Sequence, residues 1–492
     1  MNVKRRLMPI GSVMAALAGL VAPSAFAGQP ISSVVSTVSS DVAPVVPGGS
    51  CYGKVGSLAG ADPNLCRRVL VLKQVGTWIY AGGIIDSVID RSTGGNVLIS
   101  GYHNLFRFDA TTFAVDTTFK PQLYKSAESG TGLEYKDSAV TGLASSGTDL
   151  YVAGSFQNVA PFQGGPVSPS MGVAALSLDG TVDPAFNANV GRGGGSSVVN
   201  DVDFVNGSLW LGGPFTHVGG TRQVGLAFVT PVGGLTGQQL SLAGQVTTTV
   251  GTKVAQVAVN NAGTKAVVIG NFLTVGGADH EEVVVLNIQP DGTATVDPWN
   301  DPTNLHASGP AACKASDTWA RGVDWSPDNV HFDIAASGGG GFDAFGPQQA
   351  GQPNQGALCD AFSRFDSSQV TQTAPDVVNV TGFDSLFTVV DVGTVAYTGG
   401  HNKSLNHAVY IGGVKVPATQ EFHYGIGAID VNTGDAGYGQ AVTAFNASTA
   451  TGRGAGWASS LSTGSGVYIG GDATKVGSDK TIQRLAYFPT NP

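Results

Sequence analysis

The chain has 492 residues, of which 42% are hydrophobic, 12% are charged and 71 are glycine. This apolar content excludes a disordered chain, and the glycines favour β structure interrupted by turns. The formal net charge of −10 and the scarcity of Lys/Arg runs argue against nucleic acid and anionic membrane surfaces as partners.

The first 27 residues are laid out like a secretory signal peptide. A basic triplet at residues 4–6 precedes an apolar core at residues 7–21, and Ala25-Phe26-Ala27 forms a small-x-small cleavage site. We expect cleavage after Ala27 and a secreted protein, extracellular or periplasmic, with an uncut N-terminal anchor as the alternative. Cleavage would leave 22 basic against 35 acidic residues, a formal charge of −13. The apolar core is too short for a stable membrane span, and no later apolar segment is long enough.

Four cysteines follow, at Cys51, Cys66, Cys313 and Cys359. An even number in an exported chain predicts two disulfides. Of the three connectivities we favour Cys51–Cys66 and Cys313–Cys359, because each closes a local loop outside the repeated strands. Metal ligation is the alternative, but the chain has no paired C-x-x-C spacing.

From about residue 68 the chain repeats one unit seven times, and the most regular copy is residues 209–220. Glycine breaks fall near residues 82, 154, 212, 270, 336, 399 and 470, which are 58 to 72 residues apart. Each period contains short β-rich runs and a trailing segment such as residues 181–187. This pattern predicts an all-β fold, a seven-bladed β-propeller with about 60–70 residues per blade. A β-solenoid is the competing repeat fold, but its rungs are shorter.

The predicted organisation is a signal peptide at residues 1–27, a Ser/Val/Pro-rich linker at residues 28–50 and a β-propeller domain at residues 51–492. The phenylalanine after the glycine break (Phe156, Phe215 and Phe272) is expected to pack between blades. The last copy lacks the trailing segment, so we expect a piece between about residue 30 and residue 68 to join the last blade.

Several pieces of the repeat resemble the bacterial secreted delta-60 type β-propeller repeat proteins. They are the Gly-Gly-x-Phe-x-x-Val-Gly-Gly of residues 212–220, the strand and turn at residues 428–434, and Val323-Asp-Trp-Ser-Pro-Asp328. The resemblance covers roughly residues 68–488. It implies an extracellular location and a propeller fold, and it implies no catalytic residues.

In the fifth repeat, residues 317–328 hold two Trp, one Arg and three Asp. Trp319, Arg321, Asp324 and Trp325 are therefore candidate ligand-binding residues, since an exposed aromatic, Arg and Asp set suits a sugar or a peptide. On a regular strand Arg321 and Trp325 would share one face. The alternative is a packed interface between blades, with Arg321 paired to an Asp.

The sixth repeat replaces the expected Phe region with a His-rich insertion. His401, His407 and His423 lie within 23 residues and are candidate ligands for a metal or another partner. A longer surface hairpin that simply carries polar residues is the alternative. The chain has no G-x-S-x-G elbow, and His280-Glu281-Glu282 lacks the second His of a zincin.

We therefore predict a secreted, non-catalytic binding module that recognises an extracellular glycan, peptide or protein through loops on one face. The alternative is an extracellular enzyme (hydrolase, lyase or oxidoreductase) with a site in the central channel. A purely structural repeat protein is the third option. The cofactor is unknown, and the His and Asp loops leave room for a divalent metal.

Overall fold

The computed structural model describes residues 35, 43–47, 67–126, 133–134, 138–162, 166–191, 198–245, 251–300, 319–337, 360–372, 374–382, 385–447, 457–473, 476 and 483–490. Across these residues the chain forms 38 strands and no α-helix, which confirms the predicted all-β class. No helix in this described part is long and apolar enough to cross a membrane. The signal peptide and all four cysteines lie outside it, so the predictions made for them stay predictions.

The strands of the first half are β1 (Arg68–Val75), β2 (Trp78–Ile84), β3 (Ser87–Asp90), β4 (Val97–Ser100), β5 (Leu105–Asp109), β6 (Gln122–Ser126), β7 (Leu133–Glu134), β8 (Val140–Ser145), β9 (Asp149–Gly154), β10 (Asn158–Ala160), β11 (Ser168–Pro169), β12 (Val173–Ser177), β13 (Val190–Gly191), β14 (Asp201–Val205), β15 (Ser208–Gly212), β16 (His217–Val218), β17 (Thr221–Arg222), β18 (Leu226–Val229) and β19 (Leu242–Ala243).

Those of the second half are β20 (Lys253–Val259), β21 (Lys265–Asn271), β22 (Thr274–Val275), β23 (Ala278–Asp279), β24 (Val283–Ile288), β25 (Ala294–Val296), β26 (Trp319–Trp325), β27 (His331–Ser337), β28 (Ala361–Asp366), β29 (Val377–Gly382), β30 (Leu386–Asp391), β31 (Val395–Gly400), β32 (Ser404–Ile411), β33 (Val414–Val416), β34 (Glu421–Phe422), β35 (Ile426–Asp430), β36 (Trp457–Ser462), β37 (Gly466–Gly471) and β38 (Leu485–Pro489).

Seven antiparallel units with the same strand order account for the sequence repeat. We call them sheets 1 to 7: β1-β2-β5, β8-β9-β12, β14-β15-β18, β20-β21-β24, β26-β27-β28, β30-β31-β35 and β36-β37-β38. In each sheet the first strand pairs with the second, and the second pairs with the third. The trailing segment adds a short fourth strand to sheet 4, as β25, and single bridges such as Leu176 to Val182 in sheet 2.

The core lies between neighbouring sheets rather than within one of them. The apolar runs of the second strands are buried on both faces, as expected for strands covered from two sides. Phe156, Phe215 and Phe272 are fully buried, each in a cluster shared by two successive sheets. Their predicted packing role is confirmed.

The first strands follow one another in space as they do along the chain. β1 contacts β8, and the contacts continue through β14, β20, β26, β30 and β36. The strand β36 of sheet 7 then contacts β1 of sheet 1. One edge of each sheet therefore faces the edges of its two neighbours.

Most first strands carry a β-bulge close to their start. The register shifts at Leu70, Thr141, Ala255, Arg321, Phe387 and Ala458, one residue in each of six sheets. A bulge leaves one residue unpaired and changes the direction of its side chain relative to the rest of the strand. The side chains at these six positions consequently cannot be placed by simple alternation.

A second layer of small sheets joins sheets 2, 3, 4 and 6 each to the sheet before it. The hairpin between the second and third strands of one sheet pairs with the segment that leaves the preceding sheet. In this way β10 pairs with β6, β16 with β13, β22 with β19, and β32 with β29. The insertion of the sixth repeat is the longest of these hairpins, and it extends sheet 5.

The segment before sheet 1 packs against the last sheet, as the missing trailing segment led us to expect. Val35 forms an antiparallel bridge with Thr490, and its N–H donates to the Tyr397 hydroxyl at 2.9 Å. The fully buried Arg484 of sheet 7 donates to the carbonyls of Val46 and Arg67 at 2.9 and 2.7 Å. Part of the segment predicted as a linker is thus integrated into the fold.

Candidate functional site

The first strands of all seven sheets line a central cavity of about 240 Å³. Its walls combine apolar residues with polar and charged side chains that are unusual for a protein interior. The polar and charged members are Lys73, Thr141, Asn200, Asp201, Asp203, Gln256, Arg321, Asp324, Thr388, Ser459, Ser460 and Ser462.

Many of these side chains bind the backbone of the next sheet. The first strand is the edge of its sheet, and its outward N–H and C=O groups need partners. Side chains supply them in five cases: Thr141 Oγ1 to Val199 O (2.9 Å), Asn200 Nδ2 to Val254 O (2.7 Å), Val257 N to Asp201 Oδ2 (2.8 Å), Val323 N to Gln256 Oε1 (3.0 Å) and Asp391 N to Asp324 Oδ2 (2.9 Å). Between sheets 6 and 7 the hydroxyls of Thr388 and Ser460 are 2.7 Å apart.

At two of these junctions the first strand also carries a glycine that lies against the next first strand. A Cβ at Gly142 would lie 2.9 Å from Asp201 Cα, and one at Gly322 would lie 2.7 Å from Phe387 O. The first strands of sheets 2 and 3, and those of sheets 5 and 6, therefore approach each other closely at these points. At this position of the repeat some first strands thus carry a polar side chain, and others carry a glycine.

Two carboxyl groups of sheet 3 lie in the wall of the cavity, and both have raised pKa values. Burial raises the pKa of Asp201, and the nearby charge of Asp203 raises it further, while the N–H groups of Val257 and Val202 oppose the shift. Burial likewise raises the pKa of Asp203, and the charge of Lys73 opposes that shift. Proton affinity in this wall is therefore higher than for an exposed Asp.

The structure separates the candidate residues of the fifth repeat. Arg321 and Asp324 line the cavity, whereas Trp325 is fully buried and donates from Nε1 to Ala258 O at 2.9 Å. The expectation that Arg321 and Trp325 share a face is wrong, because the bulge at Arg321 breaks the alternation. Trp319 begins β26.

The three histidines of the sixth repeat also have different surroundings. His423 is fully buried, with Nε2 3.1 Å from Glu421 Oε2. His407 lies on β32, where burial, and to a lesser extent Lys415, lowers the pKa of its imidazole. Within the described residues no group of three His, Cys, Asp or Glu is placed to hold a metal ion.

His401 and Arg321 meet around one aromatic side chain at the cavity. The ring of His401 stands edge to face with that of Phe387, with 4.6 Å between centroids. The guanidinium of Arg321 lies 5.7 Å from the centroid of the Phe387 ring. Residues predicted from two different repeats are thus brought together, and Phe387 is partly exposed between them.

The sequence analysis missed Phe387, Lys73 and Asp203 as candidates. Their common signal is a charged or bulky residue in the first strand of a repeat, at a position where other copies carry small or apolar residues. Only an alignment of the seven first strands, with the bulge included, would have found them.

No family model matches the chain, and no curated protein matches it. Among solved structures, U3-55K is similar, with 10% sequence identity, 88% of this chain and 97% of that chain covered, and a TM-score of 0.40. The crystal structure of the computationally designed Ika8 protein is similar with 10% identity, 86% and 96% coverage, and a TM-score of 0.39. At these TM-scores neither likeness carries an argument about fold or function.

Proposed function

We propose that the protein is a secreted seven-bladed β-propeller of the delta-60 repeat type that acts as a non-catalytic binding module. The seven-bladed arrangement is supported by the succession of contacts from β1 to β36 and back to β1, around one cavity. Secretion is supported by the signal-like layout of residues 1–27. The partner is an extracellular glycan, peptide or protein.

The meeting of Arg321, Phe387 and His401 beside the cavity is the observation that carries the binding function. Arg and aromatic residues are over-represented at recognition sites, because Arg offers directed hydrogen bonds and an aromatic ring offers a large contact area. Phe387 lies between these two polar partners, lines the cavity and is partly exposed, so its ring is accessible to a ligand.

Binding of the chain from Gly28 onward to glycan and peptide arrays tests this proposal. We expect a partner whose affinity falls at least about tenfold in Phe387→Ala, since hot-spot aromatics typically account for such losses. Phe162→Ala is the matched control, because Phe162 is an exposed phenylalanine in the turn after β10 and lies outside the cavity lining. Equal losses in both variants, or the absence of any partner on either array, would contradict the proposal.

An extracellular enzyme that uses the same cavity is the second candidate. It is favoured by Asp201 and Asp203, two carboxyls with raised pKa values in one wall, a feature that active sites share. It ranks second because the Asp201 carboxylate accepts hydrogen bonds from the backbone of Val202 and Val257, which is a structural role.

A further inference from the structure

Asp203 is a buried carboxylate that lines the central cavity. It is 9% exposed, and among the described residues no hydrogen bond or ion pair holds it. The neighbouring Asp201, by contrast, accepts two backbone hydrogen bonds. Buried carboxylates are costly unless a partner compensates the charge, and the charge of Lys73 compensates Asp203 only in part, since burial still raises its pKa.

Three charged residues lie at the same level of the cavity. Lys73, Asp203 and Asp324 occupy the same position in the first strands of sheets 1, 3 and 5, opposite Tyr80, Trp210 and Asp333 of the second strands. Lys73 acts on Asp203 through its charge. This level thus combines two carboxyl groups with one ammonium group.

The other cation of the cavity lies farther along. Arg321 precedes Asp324 by three residues of β26, roughly 10 Å at the rise of an extended strand. The cavity thus has two levels. Asp203 and Asp324 lie at the acidic level, and Arg321 and Phe387 lie at the other.

A ligand that brings its own hydrogen-bond donors suits this acidic level better than a metal ion. A protein-bound metal needs several ligands around it, and the described residues offer no such group of three. An ammonium or a guanidinium needs only one or two carboxylates, and the acidic chain, with a net charge of −10, attracts cations. A cavity of about 240 Å³ has room for a small ligand or one side chain.

We propose that the central cavity binds an organic cation, an ammonium or guanidinium group, with Asp203 as its counter-ion. This inference names the ligand chemistry of the proposed binding module and rests on that function. Such a group reaches the cavity either as a free amine or on a basic side chain of a peptide.

Calorimetric titration of the chain from Gly28 onward at low ionic strength tests the proposal with two probes. Putrescine represents the free amine, and acetyl-Gly-Lys-Gly-amide represents the basic side chain, with acetyl-Gly-Gln-Gly-amide as its neutral control. We expect at least one cationic probe to bind and its affinity to fall tenfold or more in Asp203→Asn. Asp279→Asn is the matched control, because it removes one exposed carboxylate outside the cavity lining and should leave the affinity unchanged.

The relative strength of the two probes identifies the source of the cation. Binding of putrescine alone indicates that the ligand is a free amine. Tighter binding of the lysine peptide indicates that the ligand is a basic side chain of a peptide. No binding of either probe, or equal affinity in the wild type and Asp203→Asn, would overturn the proposal.

Melting curves separate a ligand role from a structural one. Asp203→Asn removes a buried charge that no hydrogen bond stabilises, so it should melt at the wild-type temperature or above. A lower melting temperature would overturn the proposal, because it would make Asp203 part of the scaffold. If Phe387→Ala loses array binding while Asp203→Asn has no effect on the affinity for either cationic probe, the proposed binding function is retained. Only the proposed cation ligand is then refuted.

Discussion

Single residues set the distance between neighbouring sheets around the cavity. Where Asp201 and Gln256 stand, a side chain bridges the first strands through a backbone N–H. At Gly142 no side chain fits, since the backbone of Asp201 and Val202 lies against its Cα. The same position of the repeat therefore carries a polar bridge in sheets 3 and 4 and a glycine in sheet 2.

Gly142→Ala should destabilise the protein by about 1–3 kcal/mol, as over-packing against backbone usually does. The added Cβ would lie 2.9 Å from both Asp201 Cα and Val202 N, and neither backbone atom can move aside easily. Urea unfolding followed by tryptophan fluorescence measures the effect. In Gly191→Ala the added Cβ meets no atom within 4 Å, so this control should unfold at nearly the wild-type urea concentration; equal shifts in the two variants would refute the close approach.

At the scale of elements, sheets 5 and 6 are joined by buried charges instead of apolar packing alone. Arg364 Nη1 of β28 donates to Asp333 of β27 at 2.9 and 3.0 Å and to Asp391 of β30 at 2.8 Å. All three side chains are almost completely buried. Burial raises the pKa of Asp333, and the charge of Arg364 opposes that rise. Sheets 1, 2 and 3 carry Tyr80, Tyr151 and Trp210 at the position of Asp333.

Arg364→Met should cost about 3–5 kcal/mol of stability, because it leaves two buried carboxylates without their cation. The loss should shrink when Asp333 and Asp391 are both changed to Asn in the same chain, since no uncompensated charge then remains. Thermal melting measures both variants. Arg222→Met, at an exposed position of β17, is the control and should melt like the wild type; a similarly small effect of Arg364→Met would show that the cluster contributes little.

At the scale of the whole molecule, the segment before sheet 1 links the first and last sheets. Val35 pairs with Thr490 beside sheet 7, Val45 pairs with Ile89 of β3, and the carbonyl of Val46 accepts a hydrogen bond from Arg484. Val35, Val45 and Val46 are all buried. Sheets 1 and 7 are thereby held together by a segment that belongs to neither.

Deleting residues 28–47 should lower the melting temperature by at least about 5 °C, because the deletion exposes apolar surface of sheets 1 and 7 and removes an acceptor of the buried Arg484. Differential scanning calorimetry measures the change. Deletion of residues 28–34 alone keeps Val35 and residues 43–47 in place and should have little effect. Coincident melting curves for the wild type and the 28–47 deletion would contradict this role.

The sequence by itself determined the all-β class, the seven repeats and the buried phenylalanines after the glycine breaks. These features are local, since apolar alternation, glycine and turn residues are read within one repeat. Whether Trp325 is buried or exposed could not be predicted in the same way. Its burial depends on Ala258 of the preceding sheet and on a bulge that breaks the alternation of β26.

Only the tertiary structure decided which residues line the cavity. Arg321 and His401 were chosen from unusual stretches of two repeats, but the residue that joins them, Phe387, lies in an ordinary strand. Asp203 likewise lies on a strand of the most regular repeat. Its position in the cavity wall follows from where the other first strands place their side chains. Contacts between repeats far apart in the chain depend on how the sheets pack together, and the pattern within one repeat does not encode them.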